Sequence, residues 1–237
     1  MQTRLREIYL NALRCSPFIG ALMLRIYHRK ALDTVVKNIR GKNNKIEYSN
    51  AILSAVRFDI IGDGTEIVIK DGSVLNDVTF HIRGNNHKIL IGRNCRFDRG
   101  GNIWFEDRDC SLTIGEDSTF EDVHLVLTEP GTQMRIGRDC MFAYDIDVRT
   151  GDSHSILVQG SNERINYARD ILIANHVWIA PHCILLKGAS VPEDSIVATG
   201  SVVTRRFEPK GIIIGGNPAK ILKEGITWSR NRVYRTN

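Results

Sequence analysis

One histidine stands in a setting that suits proton transfer. His154 lies in the segment GDSHSI, two residues after Asp152, and a stretch rich in Gly, Ser, Asn and Asp follows it. An imidazole can remove a proton near neutral pH, and a carboxylate beside it can orient the ring. His154 is therefore a candidate general base with Asp152 as its partner. The alternative is a histidine that simply faces solvent from a polar loop.

The other histidines carry weaker signals. No polar cluster surrounds His28, His81, His87 or His124 in the sequence, so we expect them to be packed or solvated. A zinc site would have to bring His154, His176 and His182 together. The spacing of His176 and His182 places them on neighbouring sides of the repeat described below, and the chain has no CxxC or HxxxH pattern. We expect no metal site.

Cysteine chemistry is also disfavoured. The five cysteines are odd in number and widely scattered: Cys15, Cys95, Cys110, Cys140 and Cys183. This pattern argues against a disulfide framework and favours a reducing cytoplasm. Only Cys183 adjoins a histidine, and its place in the repeat puts it at a packed corner rather than in a cleft. The longest uncharged apolar stretch, residues 18–24, is too short to span a membrane.

A repeat of six residues supplies the framework that would position His154. Residues 171–206 read ILIANH, VWIAPH, CILLKG, ASVPED, SIVATG and SVVTRR. The third residue of every hexad is aliphatic: Ile173, Ile179, Leu185, Val191, Val197 and Val203. The first residue is mostly small. This period is typical of a parallel β-helix in which each hexad forms one side of a triangular coil, with the aliphatic residue inside.

The repeat extends backwards with longer coils and one interruption. The pairs Ile91-Gly92, Ile114-Gly115 and Ile136-Gly137 recur at intervals longer than three hexads, so the earlier coils need longer sides. Residues 147–170 contain no hexad, and their composition predicts a loop that leaves the prism. Loops on a rigid scaffold commonly carry function. We assign residues 46–206 to the β-helix domain and residues 207–237 to a strand, a turn and a basic tail.

Residues 1–45 differ from the rest of the chain. Ile19, Leu22, Met23 and Ile26 have helical spacing, and Leu32, Val35, Val36 and Ile39 repeat it, so we predict a helical extension. The segment holds ten Lys and Arg against two Asp and Glu. It could cover the open end of the β-helix, or it could lie on an anionic membrane surface.

The combined motifs resemble a known family. They are the hexads, the GDSHSI loop, ERIN at residues 163–166, GGNPAKIL, and IxWxR at residues 226–230. Together they resemble the hexapeptide-repeat acyltransferases with a left-handed parallel β-helix. Within that family the chain is most similar to bacterial O-acetyltransferases of capsular polysaccharides, polysialic acid especially. The similarity covers residues 130–232 well and the earlier coils only by architecture.

The resemblance implies a site and a reaction. His154 matches the catalytic histidine that deprotonates an acceptor hydroxyl as it attacks acetyl-CoA, and Trp178 matches an aromatic residue lining the cleft. The remaining matches border coenzyme A: Ala180, Lys187, Ser201, Arg205, Gly216, Asn217, Pro218, Ala219 and Lys220. Lys187, Arg205 and Lys220 are plausible partners for its phosphates. Ala174 and Ala180 stand where the family more often has Gly.

The expected function is transfer of an acetyl group from acetyl-CoA to a sugar hydroxyl of a bacterial surface polysaccharide, without a covalent enzyme intermediate. The expected assembly is a cytoplasmic homotrimer with no nucleic-acid partner, and residues 1–45 are the candidate segment for contact with the inner face of the membrane. One alternative is acetylation of a small acceptor such as a nucleotide-linked sugar. Another is a trimeric β-helix that binds but does not catalyse. The joint presence of His154 and Trp178 argues against this last reading.

Overall fold

The chain winds into a parallel β-solenoid of about eight coils. A computed structural model describes residues 34–48 and 50–234. Each coil contributes one strand to each of three sheets, which form the sides of the prism and are called sheets A, B and C. Every pair of neighbouring strands is parallel except β23 and β24. The described residues contain no α-helix.

Sheet A consists of β1 (Val36–Arg40), β4 (Arg57–Ile61), β7 (Val78–Arg83), β10 (Gly101–Phe105), β13 (Val123–Leu127), β16 (Ile146–Arg149), β19 (Ile184–Leu185) and β22 (Val202–Val203). Sheet B consists of β2 (Lys45–Glu47), β5 (Glu66–Ile69), β8 (Lys88–Ile91), β11 (Ser111–Ile114), β14 (Gln133–Ile136), β17 (Ile171–Ile173) and β20 (Ser190–Val191). Sheet C consists of β3 (Ile52–Ser54), β6 (Val74–Asn76), β9 (Arg96–Phe97), β12 (Thr119–Phe120), β15 (Met141–Phe142), β18 (Trp178–Ile179), β21 (Ile196–Val197), β23 (Ile213–Gly216) and β24 (Ala219–Lys223).

The strand register confirms the expected coil lengths. Trp178 pairs with Ile196 in the next coil, which is three hexads later. Earlier in the chain Thr119 pairs with Met141, so those coils have longer sides, as the spacing of the Ile-Gly pairs predicts. Between these two regions Met141 pairs with Trp178, and the extra residues of that coil form the protruding loop.

The interior is filled by the residues that the hexads assign to it. The third-position aliphatic residues of all six hexads have no exposed surface. In the wider early coils phenylalanines fill the interior, and the rings of Phe97 and Phe120 stack with centroids 4.4 Å apart. Burial of each such side chain stabilises the fold by roughly 1.5–3 kcal/mol, so the stacked coils form a rigid scaffold.

The corners of the prism require backbone conformations that the strands do not. Asp117, Asp139, His176 and Asp194 occupy one corner in successive coils, all with φ between 51° and 62°. Asn, Asp and His tolerate this left-handed conformation better than most residues. At Gly137 a Cβ atom would lie 2.6 Å from the Ala174 backbone, so only glycine permits the close approach of the two coils there.

The predicted helix over residues 32–39 is wrong in the part that the structure describes. Val36 and Ile39 lie in strand β1, whose residues pair with those of β4. A short apolar pattern fits either period, and parallel pairing with the next coil satisfies the β1 backbone. Residues 1–33, with the first predicted helix and most of the basic segment, lie outside the described residues.

The chain ends in a hairpin and an extended arm. Strands β23 and β24 pair antiparallel around a turn at Asn217 and Pro218. Residues 224–234 then follow without regular structure, in the part of the chain that the structure describes. No helix among the described residues is long and apolar enough to cross a membrane.

Candidate active site

The loop that carries His154 leaves the prism at the corner between sheets A and B. It joins β16 to β17 and forms a short antiparallel ribbon, in which the Val158 N–H donates to the Glu163 oxygen at 2.9 Å. An isolated bridge joins Leu157 and Arg164. Although its composition predicts only an irregular loop, the segment therefore has backbone order of its own.

A buried asparagine holds the base of this loop together. Asn166 is 5% exposed, and its amide nitrogen donates to the Asp152 carboxylate at 2.8 Å and to the His154 carbonyl at 2.7 Å. Its side-chain oxygen accepts from the Ile156 N–H at 2.7 Å. Asn166 thereby fixes the backbone on both sides of His154. Sequence reasoning missed this role, although Asn166 lies in the ERIN motif.

Asp152 pairs with a lysine and not with the His154 ring. The Lys187 ammonium donates to Asp152 Oδ2 and also to the Asn166 carbonyl at 3.1 Å. Burial would raise the pKa of Asp152, but the hydrogen bonds from Lys187 and Asn166 outweigh it and hold the pKa below its usual range. Asp152 and Lys187 thus lock the loop to the next coil, and the Lys187 side chain is only 17% exposed.

The imidazole of His154 faces solvent above this fixed base. His154 is exposed, and no side chain among the described residues forms a hydrogen bond with its ring. Its backbone carbonyl is nevertheless held by Asn166. The arrangement presents both ring nitrogens to a ligand while restricting the position of the backbone that carries them.

A second group of charges supports the strand that leads into the loop. The Arg149 guanidinium donates to the Asp147 carboxylate at 2.7 Å, and His124 lies 3.4 Å from the same carboxylate. Burial would raise the pKa of Asp147, but the hydrogen bonds from Arg149 and His124 lower it to about 2. On the other side of the loop, Arg164 forms an ion pair with Glu129.

Trp178 lies on a different side of the prism from His154. It is the first residue of β18 in sheet C, which is opposite the corner from which the loop leaves. Trp178 is half-buried, and its ring centroid lies 6.2 Å from that of Trp228. The two residues that the resemblance assigns to one cleft are therefore not brought together within a single chain.

The residues assigned to coenzyme A fall into two groups. Ala180 and Ser201 are buried, and Ser201 Oγ accepts from the Gly216 N–H at 3.2 Å, so both are parts of the coil framework. The exposed residues of the hairpin are Gly216, Asn217, Pro218 and Lys220. Arg205 is also exposed, but it lies at the corner between sheets A and B, where its carbonyl accepts from the Ser190 N–H at 3.3 Å. The Arg205 guanidinium lies 4.9 Å from the Phe207 ring. Lys187 lies apart from the hairpin, at the loop base, on the same corner of the prism as Arg205.

The other histidines and the cysteines in the described part of the chain occupy structural positions. His176 and His182 lie at separate corners, each within 2.8 Å of an aspartate. No group of three or more metal-ligating side chains occurs among residues 34–48 and 50–234. Burial raises the pKa of Cys95 to about 12 and that of Cys140 to about 11, which leaves both thiols protonated and unreactive.

The chain has relatives of known activity. No protein-family model matches it. It is 31% identical over 206 residues to the polysialic acid O-acetyltransferase of Neisseria meningitidis, covering 86% of this chain and 94% of that protein. It is 34% identical over 119 residues to the polysialic acid O-acetyltransferase of Escherichia coli O1:K1 / APEC, covering 50% of this chain and 38% of that protein.

Two solved structures share the fold. The polySia specific acetyltransferase NeuO superimposes with a TM-score of 0.76 at 28% identity, covering 86% of this chain and 93% of that one. The polysialic acid O-acetyltransferase OatWY superimposes with a TM-score of 0.58 at 28% identity, covering 85% and 94%. Because 86% of the chain aligns with the Neisseria enzyme at 31% identity and the solenoid is shared with both solved structures, the chain belongs to the family of hexapeptide-repeat acetyltransferases.

Proposed function

We propose that the protein transfers an acetyl group from acetyl-CoA to a hydroxyl of a polysialic-acid-type capsular polysaccharide, with His154 as the general base. The observation that carries this proposal is the solvent-facing His154 ring above a loop base fixed by Asn166, in a chain related over most of its length to a polysialic acid O-acetyltransferase. Asp152 and Lys187 act on this histidine indirectly, by holding the loop.

The chemistry needs one well-placed base. His154 removes the proton from the sugar hydroxyl while the oxygen attacks the thioester carbonyl, and the new carbon–oxygen bond forms. The carbon–sulfur bond then breaks, and the leaving thiolate takes the proton from the imidazolium. A thioester is already activated, so general-base catalysis worth roughly 10²- to 10⁴-fold is sufficient without a covalent enzyme intermediate.

Acetyl-CoA would lie along sheet C towards the hairpin. Lys220 is an exposed cation in the hairpin of this sheet and can pair with phosphates. Arg205 is an exposed cation of the last coil at the corner between sheets A and B. Trp178 would contact the thioester end of the coenzyme. Ala180 and Ser201 would shape the wall through the backbone, because their side chains are buried. We infer the left-handed coil sense from the family.

We propose that the site is completed only in an assembly and that this assembly is a homotrimer. His154 and Trp178 belong to separate sides of one prism, so a cleft that contains both must lie between two copies. Large apolar side chains of the loop are exposed by 39–60%: Ile156, Leu157, Val158, Ile165 and Tyr167. A neighbouring copy that covers this surface would bring its own Trp178 to the loop.

A groove on the outer surface fits an anionic polymer. It has a volume of about 500 Å³ and follows the corner after sheet B, where Lys70, Arg93 and Arg138 line it together with a single acidic residue, Glu116. Polysialic acid carries a carboxylate on every sugar, so the three cations of the groove complement it. This groove favours a polymeric acceptor over a neutral small sugar.

The test is an acetylation assay with matched acceptors. Purified protein and acetyl-CoA are mixed with α2,8-linked polysialic acid, with monomeric sialic acid and with a neutral galactoside, and release of the CoA thiol is followed. We expect turnover with the polymer and little with the other two. Turnover only with a small sugar would reject the polymeric acceptor, and absence of CoA release with all three would reject the activity proposed.

A further inference from the structure

The C-terminal arm follows one corner of the prism back towards the middle coils. The Ile226 N–H donates to the Gly211 carbonyl at 2.9 Å at the start of the arm. Thr227 Oγ1 then lies 3.4 Å from Asp194 Oδ1, one coil further back. Each step along the arm thus reaches an earlier coil, and the arm crosses the parallel strands instead of joining a sheet.

Arg230 anchors the far end of the arm. Its guanidinium donates to Asp139 Oδ1 at 3.0 Å and to the Cys140 carbonyl at 3.1 Å in one coil. It also donates to Thr119 Oγ1 at 2.9 Å in the preceding coil. A planar guanidinium that bonds to two coils at once fixes the register of the arm against the prism.

Trp228 is the buried centre of the arm. It is 8% exposed, and its indole N–H donates to the His176 carbonyl at 2.8 Å. The ring stacks on the His176 imidazole with centroids 4.4 Å apart, and Asp194 holds that imidazole at 2.8 Å. His176 therefore holds Trp228 through both ring stacking and a backbone hydrogen bond.

We propose that Trp228, held by Arg230, is a positioning residue that fixes the indole of Trp178 for acetyl transfer. The two indoles lie 6.2 Å apart at an angle of 48°, a tilted contact that restricts both rings. The residues that pair with Trp178 in the adjacent coils, Met141 and Ile196, are not aromatic. The catalytic part of this inference rests on the proposed function; the structural part does not.

A spectroscopic test isolates Trp178. The chain has three tryptophans, so Trp104→Phe combined with Trp228→Phe leaves Trp178 as the only indole. The matched protein carries Trp104→Phe with Trp228→Ala. We expect acrylamide to quench Trp178 about twofold more strongly in the alanine protein, because the supporting ring is gone. The phenylalanine protein keeps a ring in place.

Activity is measured in parallel with Trp228→Ala and Trp228→Phe. Loss of positioning should lower kcat by roughly tenfold in the alanine variant while KM for acetyl-CoA changes less, and phenylalanine should restore most of the rate. Arg232→Ala serves as the control, because Arg232 is an exposed cation of the same arm. Arg232→Ala should match wild type in rate, and in the single-tryptophan phenylalanine background it should leave the quenching of Trp178 unchanged.

The outcomes separate this inference from the proposed function. Equal quenching of Trp178 in the phenylalanine and alanine proteins, with only a lower melting temperature, would show that the arm is a structural cover and would overturn the inference. If wild type transfers no acetyl group, the quenching comparison still decides whether Trp228 holds Trp178. If the alanine protein does not fold, Arg230→Gln in the single-tryptophan phenylalanine background makes the same comparison.

Discussion

At the scale of single residues, the candidate base is held through its backbone and not through its ring. The carbonyl of His154 is bound by Asn166, while the carboxylate expected to orient the imidazole is bound by Lys187. The sequence shows which residues lie near His154 along the chain. It could not show the pairing of Asp152 with Lys187, because the two are 35 residues apart and the coil register alone brings them together.

Replacement of His154 tests the base directly. We expect His154→Ala to lower kcat by 10²-fold or more, since no other exposed imidazole is in the loop. The melting temperature should change little because the side chain is exposed. His154→Gln is the matched polar control and should be equally inactive. A variant that keeps more than about a tenth of the rate would exclude His154 as the base.

Replacement of Asn166 tests the loop base. Asn166→Ala removes the hydrogen bonds to Asp152, His154 and Ile156, so we expect kcat to fall at least tenfold and the free energy of unfolding to fall by about 1–3 kcal/mol. Asn162→Ala, at the exposed tip of the same loop, should leave both quantities unchanged. Equal rates for the two variants would show that the loop base does not position His154.

Asp147 should make the free energy of unfolding depend on pH in the acidic range. Its pKa of about 2 in the fold lies below the ordinary value of 3.8, so it stabilises the folded state fully above pH 4. This contribution, up to about 2 kcal/mol, is lost as the pH falls from 4 to about 2. Asp147→Asn should be less stable at pH 7 and should lack this pH dependence. Urea titrations at pH 7, 4 and 2.5 measure the free energy of unfolding of wild type and of the variant. If this free energy changes with pH by the same amount in the two proteins, the expectation is wrong.

At the scale of elements, local patterns were sufficient where neighbours in sequence decide the structure. Each coil repeats the same contacts, so the hexads predict buried residues such as Ile173 and Val197 correctly. The helical spacing predicts the first strand wrongly, because the apolar spacing of Val36 and Ile39 fits a helix as well as a strand. The contacts of the C-terminal arm could not be predicted from the sequence either, because Arg230 and Thr119 are 111 residues apart.

The basic groove beside sheet B should contribute to binding of the polymeric acceptor. Arg93→Glu together with Arg138→Glu should raise KM for long polysialic acid by roughly tenfold through charge repulsion, with kcat and KM for acetyl-CoA unchanged. The effect should weaken with added salt. Lys42→Glu together with Arg57→Glu, two exposed cations outside the groove, is the control with the same change of charge. Equal effects of both variants would show that only net charge matters.

At the scale of the whole molecule, a rigid prism cannot fold back on itself to join its own sides. The loop leaves at the corner between sheets A and B, and Trp178 lies on sheet C. The proposed cleft between copies would resolve this separation and would cover the apolar residues of the loop. Each active site would then take its histidine from one chain and its tryptophan from the next.

Subunit mixing tests this shared site. His154→Ala and Trp178→Ala proteins should each be nearly inactive. When they are dissociated and reassembled together, a site is intact wherever a Trp178→Ala chain supplies the histidine and a His154→Ala chain supplies the tryptophan. Random mixing gives about a quarter intact sites, so roughly a quarter of the wild-type rate should return. Native mass spectrometry confirms that mixed trimers have formed. If they form and no rate returns, both residues act within one chain and the shared site is wrong.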